Sequence, residues 1–113
     1  MPRPFRADLT PFLAEFAEHH RGIRLGRMFG LPAGYVGRRL FVCLRDDGLI
    51  VRLPPDVAAR EIARGARPFT ATAGSGRRAR WVRYRPKTAV DARRMVPALE
   101  IAARYVAEQL SET

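Results

Sequence analysis

The 113 residues contain no asparagine, one lysine, one cysteine and two serines. Each shortage excludes something. A lone cysteine cannot form an intramolecular disulfide or a CxxC metal pair. Cys43 lies inside the apolar run "LFVCL", so it reads as a small core residue in a reducing compartment. Apolar runs stop at about five residues, far below the ~20 needed to span a bilayer, and the opening "MPRPFRADLT" lacks the apolar stretch of a signal peptide. No membrane partner is expected, and the cytoplasm is the expected location. Ser75 and Ser111 have no histidine near them in sequence, which leaves no visible Ser-His constellation.

What the chain has in excess is arginine. The net charge is +10, and twenty of the twenty-one cations are arginine. Alanine is abundant too, and glycine and proline number nine each, the pattern of a GC-rich coding sequence, so part of the basic bias is compositional. One stretch stands apart. "RRARWVRYRPK", residues 77–87, holds six cations, no acid, a tryptophan and a tyrosine; without it fifteen cations face eleven acids, or +4 over the other 102 residues. Clustered cations displace counterions from phosphates, so a polyanion is the partner to consider.

Periodicity and punctuation divide the chain into alternating elements. "TPFLAEFAEHHRG" predicts an amphipathic helix with Thr10 as cap, Pro11 in first position, Leu9, Phe12, Leu13, Phe16 and Ala17 on one face, and Gly22 as stop. "IRLGRMFG" reads as a strand, "LPAGYVG" as an irregular link and "LFVCL" as a second strand. "RDDG" then turns into "LIVRL", giving a three-stranded antiparallel meander. "PPDVAAREIARG" predicts a short helix capped by Asp56 and stopped by Gly65. "RPFTAT" and "RARWVRYR" form a hairpin across "AGSG", and Met95, Leu99, Ala102, Ala103, Val106 and Leu110 mark a last helix that starts or kinks near Pro97. The order α-β-β-β-α-β-β-α is an α+β plan: one domain over residues 1–113, a mainly antiparallel sheet covered by helices. Leu13, Phe16, Phe29, Phe41, Leu44, Val51, Leu99 and Val106 are expected to be buried together.

Catalytic and metal readings find little support. His19 and His20 point about 100° apart on a helix, so both cannot face one metal, and a solvated helix end accounts for them. Asp46 and Asp47 sit side by side in a hairpin turn and read as turn formers with exposed carboxylates and no cation. The "GSG" at 74–76 lacks the lysine tail of a P-loop. A non-enzymatic protein without metal or cofactor is expected.

"GRMFGLPAGYVGRRLFVCLRDDGLIVRLP", continued through "GARPFT" and "GSGRRARWVRYRP", resembles the N-terminal domain of TfoX/Sxy-type proteins. Met28, Phe29, Gly30, Gly37, Phe41, Arg52 and Phe69 carry the resemblance, which covers roughly residues 23–86. It implies the α+β fold related to the MmcQ/YjbR group and, from the family's named members, a regulator of competence; the second domain of full-length regulators has no counterpart in this sequence. This chain puts arginines in the last strand where relatives are mostly apolar. For the Met-Phe-Gly element two readings stand: Phe29 fills the core while Gly30 takes a backbone angle barred to other residues, or the Gly30 to Gly37 segment is a ligand-binding loop.

Strand parity separates the basic stretch into two faces. Trp81, Arg83 and Arg85 share one, and Arg80, Val82 and Tyr84 share the other, which alone holds an aliphatic residue suited to a core. Trp81 then lies outward among guanidiniums, either as a platform for an unpaired base or as a surface covered by arginine stems. The expected contact residues are Arg77, Arg78, Trp81, Arg83, Arg85 and Lys87. The expected function is a small non-enzymatic TfoX-like regulatory or interaction domain with weak, charge-driven nucleic-acid binding. The alternatives are a module that recognises an acidic protein through the same strand and a small-ligand binder using the Gly30 to Gly37 loop. A homodimer is compatible with all three.

Overall fold

A computed structural model describes residues 5–69 and 80–111. Six strands, β1 (Ile23–Met28), β2 (Leu31–Val36), β3 (Arg39–Leu44), β4 (Leu49–Leu53), β5 (Arg67–Phe69) and β6 (Arg80–Tyr84), join in one sheet ordered β1-β2-β3-β4-β6-β5. Every pairing is antiparallel. Helices α1 (Thr10–Glu18), α2 (Pro55–Ala63) and α4 (Val96–Ser111), with the single-turn α3 (Ala89–Ala92), complete the expected α+β class.

The helices gather on one face of the sheet because their apolar stripes have the same target. Leu9, Phe12, Leu13 and Phe16 recur at the spacing of one helix face, as do Leu99, Ala102, Ala103 and Val106. Both stripes meet Val42, Leu44, Leu49, Val51, Leu53 and Val82 in the main core. Ala58 of α2 joins them, with Val57 and Ile62 packed at the margin. Seven of the eight residues expected to be buried together are there; Phe29 is not.

Phe29 is 93 % exposed and has φ 52°, with Gly30 following at φ 79°. The two form the tight turn between Met28 and Leu31, which pair directly. A two-residue turn that matches strand twist needs positive φ at both central positions, and this geometry lifts the phenyl ring out of the sheet and away from the core.

"LPAGYVG" is not an irregular link. It is β2, so the meander has four strands where three were expected. Pro32 and Gly34 disguised it. Pairing with β3 begins only at Ala33, so the proline sits where β2 has one neighbour. At Gly34 the β2–β3 register shifts by a bulge, and Phe41 and Val42 both enter the core there. A Cβ on Gly34 would lie 2.7 Å from Val42 Cγ1 and 3.1 Å from Phe41 Cε1, so the glycine makes room for two adjacent core residues. With β2 in the sheet, the Gly30 to Gly37 loop does not exist: its two terminal glycines serve the turns at either end of a strand.

Smaller corrections follow from chain geometry. Thr10 is the first residue of α1 and does not cap it; the preceding 3₁₀ turn, Ala7–Leu9, leads in. Asp56 lies in the first turn of α2, which starts at Pro55 after Pro54. Gly65, at φ 115°, follows the last turn of α2 as expected. Pro97 falls in the first turn of α4, where its missing N–H costs nothing. The expected turn at "AGSG" lies outside the described residues.

Candidate nucleic-acid interface

Alternation along each strand fixes what the second sheet face carries. Val82 is buried in the main core and Tyr84 packs against it, so Trp81 and Arg83 point the other way, as parity required. The register then places Arg52 beside Trp81, Ile50 beside Arg83, and Phe69 beside Trp81 on the opposite flank. Cys43 faces Ile50 and Ala33 on the same side, with Tyr35 and Leu40 one step along. Ala33, Cys43 and Ile50 are buried there, and Met28, Leu31, Tyr35, Leu40, Phe69 and Trp81 pack around them half-buried. No described helix covers this face.

Arginines rim this second cluster. Arg24 stacks on the Tyr35 ring at 4.9 Å. That ring reaches over β1 because Gly26 has no side chain; a Cβ there would meet Tyr35 Cε2 at 3.1 Å. The Tyr35 hydroxyl donates to the Arg27 carbonyl at 2.7 Å, which fixes the ring. Arg45 and Arg83 lie over Phe69 at 5.2 and 5.3 Å. Guanidinium on an aromatic face is favourable and leaves the cation able to accept an anion from outside. Arg52 lies beside them: among the described residues no carboxylate pairs with it, and its buried Nε, like that of Arg83, has no hydrogen-bond partner.

Asp47 changes the charge of the basic stretch. Its Oδ2 lies 3.2 Å from Arg83 Nη1 and 2.9 Å from Arg85 Nε, and the side chain is only 32 % exposed. The expectation that both turn carboxylates stand in water therefore holds for Asp46 and fails for Asp47. The cause is topological: β4 pairs with β6, which brings the β3–β4 turn against the end of β6. Arg6 adds to the junction by donating to the Pro86 carbonyl at 2.9 Å, while its ion pair with Asp8 at 2.8 Å holds that carboxyl below its usual range.

The contact residues expected from sequence thus fall into three groups. Trp81 and Arg83 join the open face, Arg83 already paired; Arg85 and Lys87 are exposed beyond the strand end, with Arg85 paired to Asp47. Arg77 and Arg78 lie outside the described residues. The motif residues divide as well. Phe41 is core, Gly30 and Gly37 are turn residues with positive φ, and Phe29 is exposed. Met28, Arg52 and Phe69 all reach the open face, two of them flanking Trp81. Sequence reasoning missed Arg24, Tyr35 and Arg45, because their place on this face depends on β2 and on the β3–β4 turn. The one available signal was the alternation of Leu31, Ala33 and Tyr35 across Pro32 and Gly34.

Other candidate chemistry resolves into structure. His20 stacks on Phe16 at 4.0 Å between ring centres, with Nδ1 2.8 Å from the Phe16 carbonyl and Nε2 2.9 Å from Glu100 Oε2. Both ring nitrogens face acceptors, an arrangement that favours the doubly donating imidazolium and raises the pKa of the ring. Burial pushes the Cys43 thiol up to about 11, far from nucleophilic character. Burial, reinforced by donation to Glu61 Oε1 at 2.7 Å, raises the Tyr84 phenol well above its ordinary value. Among the described residues no group of three or more His, Cys, Asp or Glu side chains is arranged to hold a metal ion, and no helix is long and apolar enough to cross a membrane. No family model, curated protein or solved structure matches the chain.

Proposed function

We propose that this is a non-enzymatic, TfoX-like regulatory domain that works in the cytoplasm and binds single-stranded nucleic acid on the sheet face opposite its helices. One observation carries the reading: Trp81, Phe69 and Tyr35 lie on one sheet face that no described helix covers, with Arg24, Arg45, Arg52 and Arg83 among them. Aromatic faces accept unpaired bases without regard to sequence, and neighbouring guanidiniums take the phosphates between them. A duplex buries its base faces and cannot use the aromatics, so a single strand is the better fit. Arg52, directly across from Trp81 and without a carboxylate partner among the described residues, is the cation nearest a base stacked there. The competing occupant, an acidic protein segment, would use the same arginines and leave the aromatic faces idle.

Fluorescence anisotropy with a labelled oligothymidylate tests the proposal. Weak, micromolar binding that falls steeply with salt is expected. Trp81→Leu keeps apolar volume on the sheet and removes the stacking face; it should weaken single-strand binding by about 1 to 3 kcal/mol. Arg52→Gln should weaken it too and flatten the salt dependence. A protein that binds duplex and single strand equally, and is indifferent to Trp81→Leu, would overturn the reading.

A further inference from the structure

At the end of the sheet, where β6 leaves and β5 begins, an open groove of about 580 Å³ runs beneath the last turn of α2. Arg64 enters from α2, Arg67 from β5, Arg83 and Arg85 from β6 and its exit, and Arg94 from the 3₁₀ turn before α4. Five of its nine lining residues are arginines, where the chain average of twenty in 113 would supply about two. Compositional bias alone does not concentrate them: the two grooves beside α1 hold one and two arginines, each with at least one glutamate.

The five arrive from four segments, so no local sequence run explains the gathering. Like charges brought together repel, and the acids nearby do little to offset them. Asp47 answers Arg83 and Arg85 with one carboxylate. Arg64 and Arg94 are 72 % and 87 % exposed, and their helix-neighbour carboxylates, Glu61 and Asp91, stand off at 3.8 and 3.7 Å. The Glu61 carboxylate also accepts the Tyr84 hydroxyl in the groove wall. Arg67 has no carboxylate partner among the described residues. Convergent, weakly paired guanidiniums in a concave site suit a ligand with several anionic oxygens at tetrahedral spacing, to which each fork can donate twice.

We propose that this groove binds phosphoryl groups, as a site that shares Arg83 with the aromatic face and is otherwise built from other residues. Its volume falls in the range of small-molecule sites, enough for a chain of two or three phosphates. The phosphoryl groups come either from a free phosphorylated compound or from the backbone of a bound strand, and the recognition chemistry is the same.

The test titrates the full chain, in a phosphate-free buffer at low salt, with inorganic tripolyphosphate and separately with an oligothymidylate bearing hydroxyl ends. The variant is Arg64→Gln/Arg67→Gln/Arg94→Gln; the control removes the same charge at Arg60→Gln/Arg93→Gln/Arg104→Gln. All six side chains are exposed, so thermal midpoints should stay close to wild type. Saturable tripolyphosphate binding that falls at least tenfold in the groove variant and less than twofold in the control is the expected result. If the oligonucleotide loses affinity in parallel, the strand backbone is the source; if it does not, a free phosphorylated compound is. Trp81→Leu should leave tripolyphosphate binding intact, so a failure of the aromatic face does not decide the groove. Equal losses from both triple variants, or no saturable binding by wild type, would overturn the proposal.

Discussion

Phe29 condenses a conflict between local and global demands. A bulky residue at φ 52° costs on the order of 1–2 kcal/mol in backbone sterics, and its ring recovers nothing by burial because it stands almost wholly in solvent. Phe29→Asn fits the same turn and should raise stability by about 1 kcal/mol, read as the midpoint of chemical unfolding. A loss of stability instead would mean that the ring makes contacts that its exposure denies. His20 presents the opposite case, a residue whose contacts exceed its expected role. Its hydrogen bonds to Glu100 and to the Phe16 carbonyl raise its pKa against the opposing effect of burial. A raised pKa stabilises the fold fully below the unfolded value of 6.5 and loses that contribution as pH rises through the folded value. Thermal midpoints should therefore drop from pH 6 towards alkaline conditions, and Glu100→Gln should flatten the drop. An unchanged profile in that variant would remove Glu100 from the account.

Among the elements, the β3–β4 turn governs how much charge β6 can offer. Asp47 is shared by two arginines that the linear sequence displays as free cations. These pairs are partly exposed, so Asp47→Asn should cost less than about 1 kcal/mol of stability, while releasing Arg83 and Arg85 and tightening oligonucleotide binding roughly threefold or more at low salt. Weaker binding in Asp47→Asn would show that the carboxylate positions the arginines and does not merely neutralise them. The same turn shows what sequence could and could not convey. Period and punctuation located α1, β1, β3, β4, α2, β5, β6 and α4, and parity assigned Val82 inward and Trp81 outward. The strand β2 escaped because Pro32 and Gly34 mimic a link, and the Asp47 pairs escaped because they span 36 and 38 residues and exist only once β4 meets β6. Phe29 escaped because apolarity argues for burial, while the turn register that exposes it follows from β2.

For the whole molecule, one layer of helices on a six-stranded sheet leaves one face that no described helix covers, and its apolar centre is rimmed by guanidiniums. Aliphatic residues fill the middle, aromatics stand around them and arginines flank the aromatics, an arrangement suited to stacking plus phosphate contact. The amide spectrum of the labelled protein, titrated with an oligothymidylate at low salt, puts this account to its most direct test. It predicts that the shifts concentrate on β2, β4 and β6, with the Trp81 indole N–H among the largest, while α1 and α4 stay quiet and Trp81→Leu suppresses the pattern. Shifts confined to the helices, or a pattern that Trp81→Leu leaves unchanged, would contradict it.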